Sequence, residues 1–283
     1  MTDILHPELA TGVNVVSSIS GGKDSTALAL ALTEAEIEAR LVFADTGWEH
    51  ESTYDHLEYL RGVLGPIDVV RGPNTFTDVV KIHKMFPSQR KVLGGGARFC
   101  TSELKVLPII KYLVEIAGDN PDSLINAVGI RADESIARSK LDAVEYNEST
   151  GFKTWRPILR WSEEDVVEIH KRHDVRLHPL YRLGATRVGC WPCIGADKQA
   201  LRLVSSLDPD RISEIREIEI VLSAGKDSPR TMFSYRRPGE TKFKPAFIDE
   251  IIDWSSQIRG GYLLGFGEDD WACMRWGFCE VSS

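Results

Sequence analysis

The chain is poor in cysteine, with five in 283 residues, and it has no long apolar run. Five unevenly spaced thiols are too few for a disulfide scaffold, so they read as metal ligands or catalytic thiols in a reducing compartment. No stretch approaches the roughly 18–20 apolar residues of a membrane span, which excludes a transmembrane helix. The opening Met1-Thr2-Asp3-Ile4-Leu5-His6-Pro7 lacks the basic and apolar regions of a signal peptide, so a cytoplasmic location without a membrane partner is the expectation. An excess of positive charge is also missing. The net charge of −8 argues against a chain-wide nucleic-acid surface. The basic clusters at 81–91 and 230–244 then read as solvated faces. Long linkers, repeats and low-complexity tracts are absent too. The length suffices for one α/β core with an appendage.

What the chain does have is an apolar strand running into a double-glycine turn. Val15-Val16-Ser17-Ser18-Ile19-Ser20-Gly21-Gly22-Lys23-Asp24-Ser25 is followed at once by a helix-forming run from Thr26. Strand, turn and helix in this order aim backbone N–H groups at an anion. Gly21 and Gly22 let the main chain approach a phosphate with no Cβ in the way. Lys23 adds a positive charge, and Ser18, Ser20 and Ser25 add hydroxyls. This is not a Walker loop, which needs Gly, four residues, then Gly-Lys-Ser or Gly-Lys-Thr. Here Asp24 follows Lys23, and Ser17 stands five before Gly22. A near copy, Ser223-Ala224-Gly225-Lys226-Asp227-Ser228, follows Ile212, Ile215, Glu219 and Leu222 at helical spacing. It reads as a helix end with Gly225 as cap, not as a second nucleotide site.

Apolar runs predict strands at 13–17, 40–44, 67–70, 124–129 and near 154–158. Helical patterns lie between them at 26–38, 51–64, 76–85, 103–117 and 163–172. Alternation of this kind implies an α/β fold: a mostly parallel, doubly wound sheet with helices on both faces. Ligands of such sheets sit beyond the carboxyl ends of the strands. From about Leu180 the alternation stops. The expected division is a nucleotide-binding domain over 1–180 and a small cysteine-bearing region over 181–283.

Further motifs fall where strands end. Asp45-Thr46-Gly47-Trp48-Glu49 follows the second strand, and Asp45 there can accept from a ribose or hold Mg²⁺ against phosphates; an Asp-Thr-Gly turn without a ligand is the ordinary alternative. After the fourth strand come Gly129, suited to packing backbone on adenine, and Arg131, suited to a phosphate or sulfate. Glu134 and Arg138 read equally as ligand groups or as an i,i+4 ion pair. Cys100 sits where a helix opens, and the helix dipole there favours a thiolate. Cys190-Trp191-Pro192-Cys193 is half of a zinc site, half of an iron–sulfur site or a redox dithiol. Partners for it are Cys100, Cys273 and Cys279; His170 and His173, on a charged helix, read as surface residues.

Taken together, Ser-Gly-Gly-Lys-Asp-Ser, Asp45-Thr46-Gly47-x-Glu49, Arg98-x-Cys100-Thr101-x-x-Leu104-Lys105, Gly129-Ile130-Arg131-x-x-Glu134-Ser135, Trp161-Ser162 and His178-Pro179-Leu180-Tyr181 resemble the phosphoadenylyl-sulfate reductase family. That family lies within the PP-loop ATP pyrophosphatases, the adenine nucleotide α-hydrolases. The resemblance covers roughly residues 13–200 and implies the HUP-like form of the fold. It also implies cleavage of ATP with Mg²⁺ at the α-phosphate, with Lys23, Asp24, Asp45 and Arg131 as the catalytic set. Two departures matter. Reductases of the family usually lack the loop Lys and Asp, whereas Lys23 and Asp24 are present here. Their mobile Glu-Cys-Gly tail is also missing, the tail here reading Phe278-Cys279-Glu280.

The expected function is therefore adenylation of a substrate in iron–sulfur-assisted sulfur transfer. A [4Fe–4S] cluster on Cys100, Cys190, Cys193 and Cys279, with Cys273 as alternative to Cys279, is expected; zinc on Cys190, Cys193, Cys273 and Cys279 is the competitor. The rival functions are a true sulfonucleotide reductase, a sulfate adenylyltransferase-like enzyme and a non-catalytic module binding zinc and nucleotide. The acceptor is open among sulfate, a small metabolite, RNA and DNA. A sulfur or electron donor protein and an oligomer are further expectations.

Overall fold

β-Branched residues fit a pleated, buried surface, and the valine- and isoleucine-rich runs become strands. The computed structural model describes residues 4, 12–87, 98–235 and 244–257. The chain runs β1 (Asn14–Ser18), α1 (Lys23–Glu34), β2 (Ala39–Asp45), α2 (Glu51–Leu64), β3 (Ile67–Arg71) and α3 (Phe76–His83). It continues through α4 (Leu107–Ala117), β4 (Leu124–Ala127), β5 (Val144–Asn147), β6 (Phe152–Trp155) and α5 (Glu163–Arg172). The last elements are α6 (Lys198–Leu207), α7 (Pro209–Ser223), β7 (Phe233–Tyr235), β8 (Lys244–Ala246) and α8 (Ile248–Ser256).

The main sheet has the order β3-β2-β1-β4-β6-β5, parallel throughout except β5 against β6. The period of two sorts its side chains. Val15 packs with Leu28 and Ile125 on one face, and Val16 with Leu113 and Leu124 on the other. Burial on both faces is why the strands read as continuous apolar runs. α1 is buried nearly all round; Ala27, Leu28, Ala29, Leu30, Ala31 and Leu32 are at most 3% exposed. The strand order reverses between β1 and β4, so the crevice of the sheet opens at the loops after those two strands.

Several boundaries move for physical reasons. α1 begins at Lys23, three residues before the expected start, because the glycine turn leads straight into it. β6 stops at Trp155, short of the expected 158, since Pro157 has no N–H and restrains Arg156. β5 was not expected. It is a half-exposed edge strand closed onto β6 by a turn in which Gly151 (φ +77°) donates to the Asn147 carbonyl. The expected helix over 103–117 is α-helical only from Leu107. A π-helical turn, Ser102–Val106, precedes it, and Pro108 brings no N–H to that part of the ladder.

Contacts divide the chain into two units. The first holds the described residues of Met1–Asp45, Glu51–Arg71 and Val106–Pro179; the second holds those of Thr46–His50, Gly72–Lys105 and Leu180–Ser283. The second unit thus gathers two early segments as well as the C-terminal residues. Within it, Glu219 of α7 is fully buried and accepts from the backbone N–H groups of Met232 (2.9 Å) and Ile248 (2.7 Å). Burial pushes this carboxyl up to about 7. α7 ends at Ser223 and Gly225 follows with φ +68°, so the near copy of the glycine loop is a helix end. Among the described residues no helix is long and apolar enough to cross a membrane.

Candidate nucleotide loop and thiol cluster

The first unit carries the loop. After β1, Ile19 extends the ladder by donating to the Val42 carbonyl (2.9 Å), and Ser18 closes the strand. Gly21 then takes φ +73°, which a side chain would strain. Thr53, His56 and His178 stand beside it, each about an ordinary van der Waals contact from where a Cβ would lie. The Ser25 hydroxyl accepts from Ser20 N–H (3.0 Å) and donates to the Gly22 carbonyl (3.0 Å), and the Ser20 hydroxyl lies 3.1 Å from it. The two serines therefore brace the turn. α1 starts with Gly22 as N-cap and no side-chain cap bond. α3 and α5, by contrast, are closed by capping boxes from Thr75 with Asp78 and from Ser162 with Asp165. With no side-chain cap, the first turn of α1 begins the helix in the way that suits an anion at its N-terminus.

Charges converge on that turn. Lys23 Nζ lies 3.0 Å from Asp24 Oδ2 and 3.6 Å from Glu163 Oε1. Arg131 Nε donates to Asp24 Oδ1 at 2.6 Å. The Lys23 and Arg131 side chains are only 7% and 5% exposed, so both cations are largely withdrawn from water and held by one carboxylate. Arg131 N–H donates to Glu134, and Glu134 forms an ion pair with Arg138. Gly129 serves close packing on the loop itself: a Cβ there would come within 3.0 Å of the Asp24 carbonyl oxygen and of Ser25 Cα. Gly129→Ala is expected to displace the first turn of α1 and weaken nucleotide binding by about tenfold or more. Titration calorimetry with MgATP checks this, and unchanged affinity would refute the packing role.

Asp45 is already engaged at both oxygens, by the Tyr54 hydroxyl (3.0 Å) and by Arg71 (3.0 Å). His170 is a correction to the sequence reading. It is buried, not on the surface, because α5 turns it inward beside Ile169; His173 is part-exposed and pairs with Glu34.

The second unit gathers the thiols. Cys100, Cys190 and Cys193 are free cysteines, partly buried, and close enough for each of the other two to raise the Cys100 thiol. The expectation of a dipole-stabilised thiolate at Cys100 fails. Burial, then its two neighbours, push it up to about 11. Burial also raises Cys190, against the pull of Lys105, which hydrogen-bonds its thiol. The segment Thr46–His50 forms the platform for the cysteine turn. Glu49 bridges to Cys190, Trp191 N–H donates to the Trp48 carbonyl (2.7 Å), and Trp48 Nε1–H donates to the Pro192 carbonyl (3.0 Å). Buried Glu49 accepts from the Thr46 hydroxyl (2.7 Å) and from the N–H groups of Thr46 and Trp48.

Thr46, Trp48, Glu49 and Lys105 are the site residues that sequence reasoning missed. The signal was in hand, since the motif strings contain all four, but spacing alone does not bring residues 46–49 to 190–193. Among the described residues, no three His, Cys, Asp or Glu side chains converge as a single metal ion requires. Cys273 and Cys279, named as cluster or zinc ligands, lie outside the described residues.

The sequence profile of the phosphoadenosine phosphosulfate reductase domain matches residues 14–196. The chain belongs to that family. The match takes in the glycine loop, Asp45, Cys100, Arg131 and the Cys190–Cys193 pair. Family relatives include an uncharacterized 37.8 kDa protein of Escherichia phage 186, 31% identical, with 95% of this chain and 97% of that protein aligned. An adenosine 5'-phosphosulfate reductase of Deinococcus radiodurans is 25% identical over 69% of this chain and 72% of its own length. A crystal structure of phosphoadenylyl-sulfate reductase from Candida auris is 20% identical, with a TM-score of 0.49, over 66% of this chain and 89% of that one.

Proposed function

We propose that the chain is an ATP pyrophosphatase that adenylates an acceptor and supports sulfur transfer. The observation that carries this reading is the loop: an uncapped first turn of α1 with Lys23 and Arg131 gathered on Asp24. An acceptor nucleophile attacks the α-phosphorus of ATP, the bond to the bridging α,β-oxygen breaks, and pyrophosphate leaves with that electron pair. Backbone N–H groups of the α1 turn and the Lys23 ammonium hold the leaving pyrophosphate, while Arg131 takes charge from the α-phosphate. Asp24 fits Mg²⁺ as a hard oxygen ligand at the loop. Asp45 offers the same kind of ligand, and both carboxylates would have to trade a present partner for the ion: Lys23 and Arg131 on Asp24, Tyr54 and Arg71 on Asp45.

Cys100, Cys190 and Cys193 suit three positions of a [4Fe–4S] cluster, with Cys279 or Cys273 as the fourth ligand. A cluster spreads its thiolates more widely than a zinc ion does, which agrees with three neighbouring thiols that do not converge on one point. When bound, the cluster supplies sulfur-carrying or electron-carrying chemistry. Lys105 and Glu49 set the charge around those thiols. Anaerobically purified protein is expected to contain iron and sulfide and to lose its visible absorbance in Cys190→Ser. Zinc without iron in such protein would overturn the cluster.

Release of pyrophosphate from MgATP in the presence of candidate acceptors tests the reaction. The second reading, a strict sulfonucleotide reductase, is favoured by the Deinococcus relative. Sulfite release from a sulfonucleotide with a thiol donor, without ATP cleavage, would decide for it.

A further inference from the structure

We infer that His170 is the positioning residue of the phosphate loop, holding the first turn of α1 through the carbonyl of Lys23. This rests on the nucleotide-loop reading above. His170 lies in the last turn of α5 and is 1% exposed. Its Nε2 is 2.9 Å from the Lys23 carbonyl oxygen, and its Nδ1 is 3.2 Å from the Val175 carbonyl oxygen. Both facing atoms are acceptors, and a neutral imidazole has only one N–H. Burial holds the ring below its usual pKa, so the neutral form is the one to consider. The shorter contact assigns the proton to Nε2, on Lys23. Val175 is already tied back by its own N–H, which donates to the His170 carbonyl at 2.9 Å. The Lys23 bond is therefore the one that the ring alone provides.

The same helix holds the other end of Lys23. Glu163, 3.6 Å from its Nζ, is seven residues before His170, about two turns along one face of α5. α5 is itself fixed by its capping box and by Val166 and Ile169, both fully buried in the core. It acts as a ruler against which both the main chain and the ammonium of Lys23 are set. Misplacement of such groups by about 1 Å can cost on the order of a hundredfold in a catalysed step.

Two amide variants separate positioning from packing. His170→Gln sets an amide N–H near the Nε2 position, and His170→Asn sets one near Nδ1. Titration calorimetry with inorganic pyrophosphate and with MgATP is expected to give His170→Gln an affinity within about threefold of wild type. His170→Asn is expected to bind about tenfold more weakly or worse, at a melting temperature close to that of His170→Gln. Nitrogen-15 spectra of the wild-type protein are expected to show the Nε2–H tautomer, with its resonance shifting when pyrophosphate is added. Equal affinities in the two variants overturn the inference, as does an Nδ1–H tautomer or a ring signal indifferent to pyrophosphate. The spectra decide even if a variant does not fold. A wild-type protein that binds neither ligand overturns the nucleotide reading itself, and the inference with it, before any variant is made.

Discussion

Lys23→Ala is expected to slow pyrophosphate release from MgATP by about a hundredfold or more, while Lys226→Ala leaves it unchanged. The two lysines sit in the same string, Gly-Lys-Asp-Ser, so those four residues alone cannot distinguish them. Their surroundings do. Lys23 is withdrawn from water between Asp24 and Glu163 at the uncapped start of α1. Lys226 is exposed just past the end of α7. Removing the Lys23 ammonium takes away a positive charge preorganised for the leaving group. The fold is expected to survive, because Asp24 keeps Arg131 and Glu163 is 39% exposed and stays solvated. A coupled pyrophosphate assay with a thermal melt checks both halves. Equal loss in the two variants would refute the assignment of the loop.

Acidification from pH 7.5 to 5 is expected to loosen the first unit and tighten the second. His56 in the first unit is pushed down to about 4 by burial, with His170 and Arg176 adding to it. His170 shifts the same way. For a base with a lowered folded pKa, the unfolded chain takes the proton first as pH falls below 6.5. Stability is then complete above that value and is lost on the way down to 4, by roughly 3 kcal/mol for His56. Glu219 in the second unit has the opposite sign. Its folded pKa of about 7 exceeds the ordinary 4.5, so the folded state keeps a proton that the unfolded chain has released. The stability it gives is complete below 4.5 and is lost as pH rises through 7, again by roughly 3 kcal/mol. A whole-chain melt would blur the two, since they have opposite signs. Hydrogen exchange by mass spectrometry, corrected for intrinsic rates, reads the units separately. Faster exchange in α1 and α2 together with slower exchange in α7 and α8 is the expected result; shifts of one sign throughout would contradict it.

The parts of the fold that were legible in the sequence are those set by local periodicity. α2 and α5 occupy the predicted residues because apolar spacing and, at α5, a Ser162–Asp165 cap coincide. β5 was hidden because an edge strand with a half-exposed face has no apolar run to betray it. At the site, the loop was visible because its chemistry is contiguous. The inward turn of His170 was not, because nothing local to Glu-Ile-His-Lys-Arg says that a carbonyl from residue 23 will meet it. The same limit hid the role of Thr46 and Glu49, whose partners lie some 140 residues on.

That last pairing has a consequence for how such a protein can be inherited. A fragment beginning at Leu180 would carry Cys190 and Cys193 but neither the Trp48 carbonyl nor the Glu49 bridge that shape their turn. The cysteine region is therefore not a cassette that can be moved between chains by one crossover. A lineage that changes its thiol chemistry must also change the stretch just after β2. The two would be expected to diverge together, as a single character written in two places.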